Sequence, residues 1–377
     1  MRKTRFGGRI PALLAAGLAA GLLATGCASG SGGGAGSAET YDLSFSSFAP
    51  ETNPSARVSE WFMSQVEERS GGRITFTRNW LEAGCPAAEL YQCVNDGRAD
   101  VVFSSPTYEP QKLPITLISA VPFVANSTDE KAQAFYELYQ KQPALQQEYE
   151  SSGMRLLGLW SVRLVLGSQQ PIDSMADIQG KSLRATGDAM IKSIREAGGN
   201  PVTLTVNEVY ESLQRGVISG YGLDLASNIN YNLYEQVDHL SDPNVGGFSP
   251  INLVISQGTY ESMDDEAKQI IDQVSRELST GEAVRSLNQT ISGICDQVLK
   301  TDLESYTVWS EAATAEWRDR MLPELEAGWK ATAGEAGVAD VDGLWDAWSA
   351  ELRAVQNPVE DAEVTCAKRF AQERGGA

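Results

Sequence analysis

From Tyr41 to Phe48 the chain reads Tyr-Asp-Leu-Ser-Phe-Ser-Ser-Phe, an alternation of apolar and polar positions that predicts a strand. A polar turn over Ala49 to Pro54 follows. Ala56 to Ser70 then carries Val58, Trp61, Phe62 and Val66 on one helical face. Gly71-Gly72 stops that helix, and Arg73 to Arg78 alternates again as a strand. The same rhythm continues: a helix over Pro86 to Asp96 ended by Gly97, a buried strand from Ala99 into the turn Ser104-Ser105, and a helix from Ser127 to Tyr139. Met154 to Leu164 is strongly strand-like. Ser182-Leu183-Arg184-Ala185 is a short strand with Arg184 on the face opposite Leu183, then a helix runs from Asp188 to Ala197 and stops at Gly198-Gly199. Thr203-Leu204-Thr205 predicts the next strand and Phe248 to Ile255 another. Ser174 is placed as a cap in the loop before Ile178.

The last third is mostly helical. Ser262 is expected to cap a long helix opened by Asp264, Asp265 and Glu266, with apolar spacing carried on to Leu299. Tyr306 to Trp309 is a short strand. Helices are expected from Ser310 to about Met321, from Leu325 to Lys330 and from Val341 to Val355. Strands alternating with helices point to an α/β fold.

The N-terminus follows other rules. Arg2, Lys3, Arg5 and Arg9 precede an apolar stretch from Ile10 to Thr25, and Leu23-Ala24-Thr25-Gly26-Cys27 has the form of a bacterial lipoprotein signal. The apolar run is short for a membrane span. Ala28 to Ala38, almost wholly Gly, Ala and Ser, reads as a flexible tether. Residues 1–26 are thus expected to be a leader, 27–40 a tether, and Cys27 a lipidated residue holding the chain on the outer face of the cytoplasmic membrane. Beyond it, 42% hydrophobic and 21% charged residues, with no long acidic block, indicate a globular chain with room for two domains.

Charge narrows the partners. The formal net charge of −20 becomes −24 once the four leader cations are removed. So acidic a surface argues against nucleic acid, and an anionic ligand then needs a local basic pocket. Four cysteines remain after the leader. Cys85 lies in a loop and Cys93 in the helix after it, so they are near neighbours, which leaves Cys295 to pair with Cys366. The spacings do not suit zinc, and His239 is the only histidine. A single histidine also leaves little room for nucleophilic triads. Gly180-Lys181-Ser182 resembles the end of a phosphate-binding loop, but Met175 stands where its leading glycine belongs. No cofactor and no enzymatic activity are expected.

One ordered series of residues is more specific. Asp177-Ile178-Gln179-Gly180-Lys181-Ser182-Leu183-Arg184, a helix ending in Gly-Gly, Pro201-Val202, and then Glu208-Val209-Tyr210-Glu211-Ser212-Leu213-Gln214-Arg215-Gly216-Val217-Ile218-Ser219-Gly220 resemble the solute-binding subunit of tripartite ATP-independent periplasmic (TRAP) transporters, the DctP family. Val121-Pro122-Phe123 and Tyr234-Glu235-Gln236-Val237 fit the same pattern, and the resemblance runs from about Tyr41 to Trp345. It implies two α/β lobes, a periplasmic-binding-protein-like fold with hinge strands and a long bridging helix. The lobes would be 41–161 plus 249–300 and 162–248 plus 301–345, followed by a C-terminal helix and tail, 346–377.

The resemblance also implies a site. Arg184 would pair bidentately with the carboxylate of an organic acid, and Arg163 matches a frequently basic position near the ligand. Phe48 and Asn53 fall in the first strand-to-helix loop, and Ser104, Ser105 and Tyr108 in a turn lining the cleft. Glu208 is assigned to orienting Arg184 or the ligand, with Tyr210 beside it. Leu223 stands where many relatives have a ligand-binding asparagine, with Asp224 next. That departure, with Trp80 and Trp160, hints at a less polar acid. The implied partners are a small carboxylate and the TRAP membrane permease; the protein is expected to be a monomer. A binding protein for an ATP-driven importer and an extracytoplasmic sensor are the alternatives.

Overall fold

The computed structural model describes residues 39–374. The leader and Cys27 lie outside the described residues. Eleven strands form two sheets: β1 (Tyr41–Ser47), β2 (Ile74–Asn79), β3 (Val101–Ser104), β4 (Met154–Arg163), β5 (Val165–Ser168), β6 (Ser182–Arg184), β7 (Asn200–Val202), β8 (Gly220–Leu223), β9 (His239–Asp242), β10 (Gly247–Ser256) and β11 (Ser305–Val308). The first sheet has the order β2-β1-β3-β10-β4 and the second β11-β9-β5-β8-β6-β7.

Parallel strands need helical crossovers, and these supply the layers that cover each sheet. β1 pairs in parallel with β2 and β3, and β6 in parallel with β7 and β8. The helix Pro54–Arg69 joins β1 to β2. Asn53 caps it by accepting from the Ser55 N–H, Pro54 sits at its first position, and Val58, Phe62, Met63 and Val66 are buried.

The chain crosses between sheets three times, twice through short connections and once from β10 to β11 through helices. β4 ends at Arg163 and β5 starts at Val165, in the other sheet; β9 ends at Asp242 and β10 starts at Gly247, back in the first. The two short crossings lie side by side, because β4 and β10 are antiparallel partners with Arg163 opposite Gly247. Next to them Arg163 is wholly buried between two carboxylates. Its Nε donates to Asp242 at 2.9 Å and its Nη1 to Asp361 at 3.0 Å. Asp361 also accepts from the N–H and hydroxyl of Thr128, so the segment before the helix Ala362–Arg374 ties the crossing to the first sheet's helix Thr128–Lys141.

Both expected disulfides are present, Cys85–Cys93 and Cys295–Cys366. Several local expectations need correction. The strand placed at 203–205 lies at Asn200–Val202, and Thr205 instead forms a capping box with Glu208. Asp264, not Ser262, caps the helix Asp265–Glu277; its side chain accepts from the Ala267 N–H. The long helix is two, Asp265–Glu277 and Ala283–Val298, divided where Gly281 takes φ of 117°, open to glycine at no steric cost. Ser174 does not cap; its hydroxyl donates to Asp177. One helix, Glu311–Glu335, runs through Pro323 where two were expected. Trp317, Met321, Leu325 and Trp329 are buried along it, and that burial outweighs the lost hydrogen bond. A further helix, Pro143–Ser151, had no expectation.

Candidate functional site

β6 is only three residues long, yet its surroundings determine where each side chain goes. Leu183 is buried in the core, and alternation turns Arg184 to the opposite face. Since β6, β7 and β8 are parallel, Arg184 lies at their carboxyl ends, the edge where open α/β sheets place ligands. Arg184 is 3% exposed. Its Nε donates to the Leu204 carbonyl at 2.9 Å, its Nη1 to the Gly222 carbonyl at 2.9 Å and its Nη2 to the Tyr108 hydroxyl at 3.5 Å. A guanidinium has five N–H donors, so two are left over. Burial lowers its pKa, while Tyr108 and Asp224 push it back up. An arginine guanidinium keeps its proton in proteins, so the site carries a positive charge.

Around this cation the two sheets close on a cavity of about 30 Å³. At roughly 10–15 Å³ per water that is room for two or three waters in this arrangement of the lobes. Phe48, Phe103, Phe248 and Ile251 make an apolar wall; Asn53, Ser105, Ser227 and Ser249 add neutral polar groups. The Phe48 ring meets Tyr108 edge-on at 5.3 Å and Phe103 at 5.0 Å. Tyr108 comes from the first sheet, yet its hydroxyl also accepts from the Val206 N–H of the second. Further contacts across the cleft are Thr107 to Thr186, Asn207 to Glu82 and Thr52 to Asn230.

Of the residues read from the sequence, Phe48, Asn53, Ser105, Tyr108, Arg184, Leu223 and Asp224 meet at this cavity. Five do not line it. Arg163 is neutralised by Asp242 and Asp361, and its Nη2 also donates to Asn244. The Glu208 carboxylate is used by the N–H and hydroxyl of Thr205, both at 2.8 Å. The Tyr210 hydroxyl donates to Glu235. Trp80 packs edge-on against Phe45 at 4.8 Å. Ser104 is on the other face of β3 from Phe103. Phe103, Phe248, Ile251, Ser227 and Ser249 are lining residues that the sequence reading did not find.

Asp224 follows β8 and caps the helix Leu225–Asn230. Its carboxylate accepts from the Ser227 N–H at 3.0 Å and the Ser227 hydroxyl at 2.6 Å. Burial raises its pKa and these hydrogen bonds hold it down. His239 is on β9, where its Nδ1 shares a hydrogen bond with the Ser305 hydroxyl, a structural position. Among the described residues no cluster of His, Cys, Asp and Glu has the arrangement of a metal site. A larger cavity of about 260 Å³ is walled by Leu117, Ala189, Leu325 and Trp329. Its cation, Lys192, is 38% exposed and faces Asp188 at 3.9 Å, so it offers no desolvated grip.

The family model for bacterial extracellular solute-binding proteins, family 7 (DctP), matches residues 45–331. The ectoine-binding periplasmic protein TeaA of Halomonas elongata is 24% identical over 311 residues, 79% of this chain and 86% of TeaA. A TRAP solute-binding protein from a marine metagenome, specific for aromatic acid ligands and crystallised with 3-hydroxybenzoate, superposes with a TM-score of 0.76 at 21% identity, covering 84% of this chain and 99% of that one. Another, from Rhodoferax ferrireducens with copurified benzoate, gives 0.75 at 20% identity, covering 84% and 98%. The fold is the two-lobed α/β fold of these periplasmic binding proteins, as expected. The relatives are solute-binding proteins and not enzymes. The chain belongs to the DctP family of extracellular solute-binding proteins of TRAP transporters.

Proposed function

We propose that the protein captures a small organic acid between its lobes, with the carboxylate on Arg184, and delivers it to a TRAP permease driven by an ion gradient. The observation that carries this reading is the buried guanidinium with two N–H donors to spare, set at a cavity with a wall of phenylalanines. Two parallel N–H groups select a carboxylate by shape as well as charge. The relatives crystallised with benzoate and 3-hydroxybenzoate support a compact acid, as do the phenylalanines of the cavity wall.

The lobe boundaries inferred from the sequence, 41–161 plus 249–300 against 162–248 plus 301–345, belong to the same proposal. So does the anchor: a lipid on Cys27, at the end of the apolar stretch Ile10 to Thr25, would hold the binding protein at the membrane. Native mass spectrometry of protein purified without added ligand tests the solute, and a copurified neutral sugar or peptide would defeat the proposal. Cys27→Ser should release the chain from membranes; attachment that persists in this variant would refute the anchor.

A further inference from the structure

Asp224 is the only carboxylate lining the cleft cavity. Both its oxygens take a hydrogen bond from Ser227, at the N-terminus of the helix that Asp224 caps. Among the described residues no Lys, Arg or His nitrogen comes within the 4.0 Å of an ion pair. The cavity therefore already contains one guanidinium, Arg184, and one carboxyl, Asp224, which influence each other without forming an ion pair.

This balance limits what enters. A simple carboxylate on Arg184 would leave one uncompensated negative charge in a desolvated site, inside a chain whose formal charge is −20. A solute that also carries a positive nitrogen leaves the site neutral and gives Asp224 a partner. We propose that the solute is a small zwitterion, its carboxylate on Arg184 and its cationic nitrogen on Asp224. This rests on the reading of Arg184 given above and adds the second charge. Phe48, Phe103 and Phe248 would then cover the hydrocarbon between the two ends, and a ring face tolerates a neighbouring cation.

The competing route to neutrality is a plain acid that binds together with a proton on Asp224. Burial raises that carboxyl's pKa. The charged and titratable groups facing it are Arg184 from β6, Tyr108 from the turn after β3, Tyr221 from β8, Tyr231 beyond the capped helix, and Glu363 from the C-terminal helix.

The test uses two matched pairs of ring acids: proline and pipecolate against cyclopentanecarboxylate and cyclohexanecarboxylate, in which CH₂ replaces the charged nitrogen. Calorimetry on the mature chain in buffers of different ionisation enthalpy gives both affinity and protons taken up. The zwitterions should bind at least roughly 30-fold tighter than their carbocyclic twins, the lower end for losing one partner of a buried charge pair. Asp224→Asn, which keeps a good helix cap, should erase that gap. Tighter binding of the carbocyclic acids with proton uptake, an undiminished gap in Asp224→Asn, or no binding by either pair overturns the proposal. If instead Arg184→Lys leaves the affinity of the preferred pair unchanged, the carboxylate reading itself fails.

Discussion

Replacing Arg184 by lysine keeps the charge and removes the fork. In the native protein separate nitrogens hold the Leu204 and Gly222 carbonyls, and a third reaches Tyr108. A lysine ammonium gathers its three donors on one atom. It cannot serve both carbonyls and a ligand, so at least one buried acceptor is orphaned, costing about 1–3 kcal/mol in the empty protein. Binding loses the bidentate pairing as well, about 2–5 kcal/mol in all, so Kd rises by roughly 30-fold to several thousand-fold. Urea unfolding of the empty variant reads the first effect, and calorimetry with the copurified acid reads the second. Circular dichroism should show the secondary structure intact. A Kd within about threefold of wild type, the scatter of an ordinary surface change, would refute the forked grip.

Glu363 is buried beside Asp361; burial, and then that neighbour, lifts its carboxyl to about 8. With an unfolded value near 4.5, the native state holds the extra proton, so stability is lost as pH rises from about 4.5 through 8. At about 1.4 kcal/mol per unit the loss is at most about 5 kcal/mol. Glu363→Gln should flatten that slope and stabilise the protein at pH 8 to 9 in chemical unfolding; parallel curves for the two proteins would refute it. Arg163→Met leaves Asp242 and Asp361 buried without their cation, which should cost about 3–5 kcal/mol at neutral pH. Burial without a cation disfavours the charged carboxylates, so the variant's deficit relative to wild type should be smaller at pH 5 than at pH 8, and a deficit that grows toward pH 5 would count against the account.

Much of this was legible from short-range pattern. Alternation located β1, β4 and β10 within a residue or two, and the run from Gly180 to Arg184 located the cation because a three-residue strand has only two faces. Cys85 and Cys93 paired for the same local reason. What stayed hidden depends on distant chain. Arg163 is neutralised by residues 79 and 198 positions away, which no local signal announces. β3 is buried on both faces, so nothing in its pattern says that Phe103 and not Ser104 faces the cleft. Phe248 and Ile251 lie in a strand read for its course alone. The helix through Pro323 shows tertiary burial overruling a local breaker.

The adjacent crossings at Arg163 and Gly247 have a mechanical consequence. Two strands that change sheets side by side act like a door's pin: the halves swing about one short line, and material on that line barely travels. A charged cluster seated there keeps its geometry through every swing, while contacts across the cleft, such as that of Thr52 with Asn230, must part when the lobes open. Stiffness and gape are thereby assigned to different residues, and substitutions can alter one without the other.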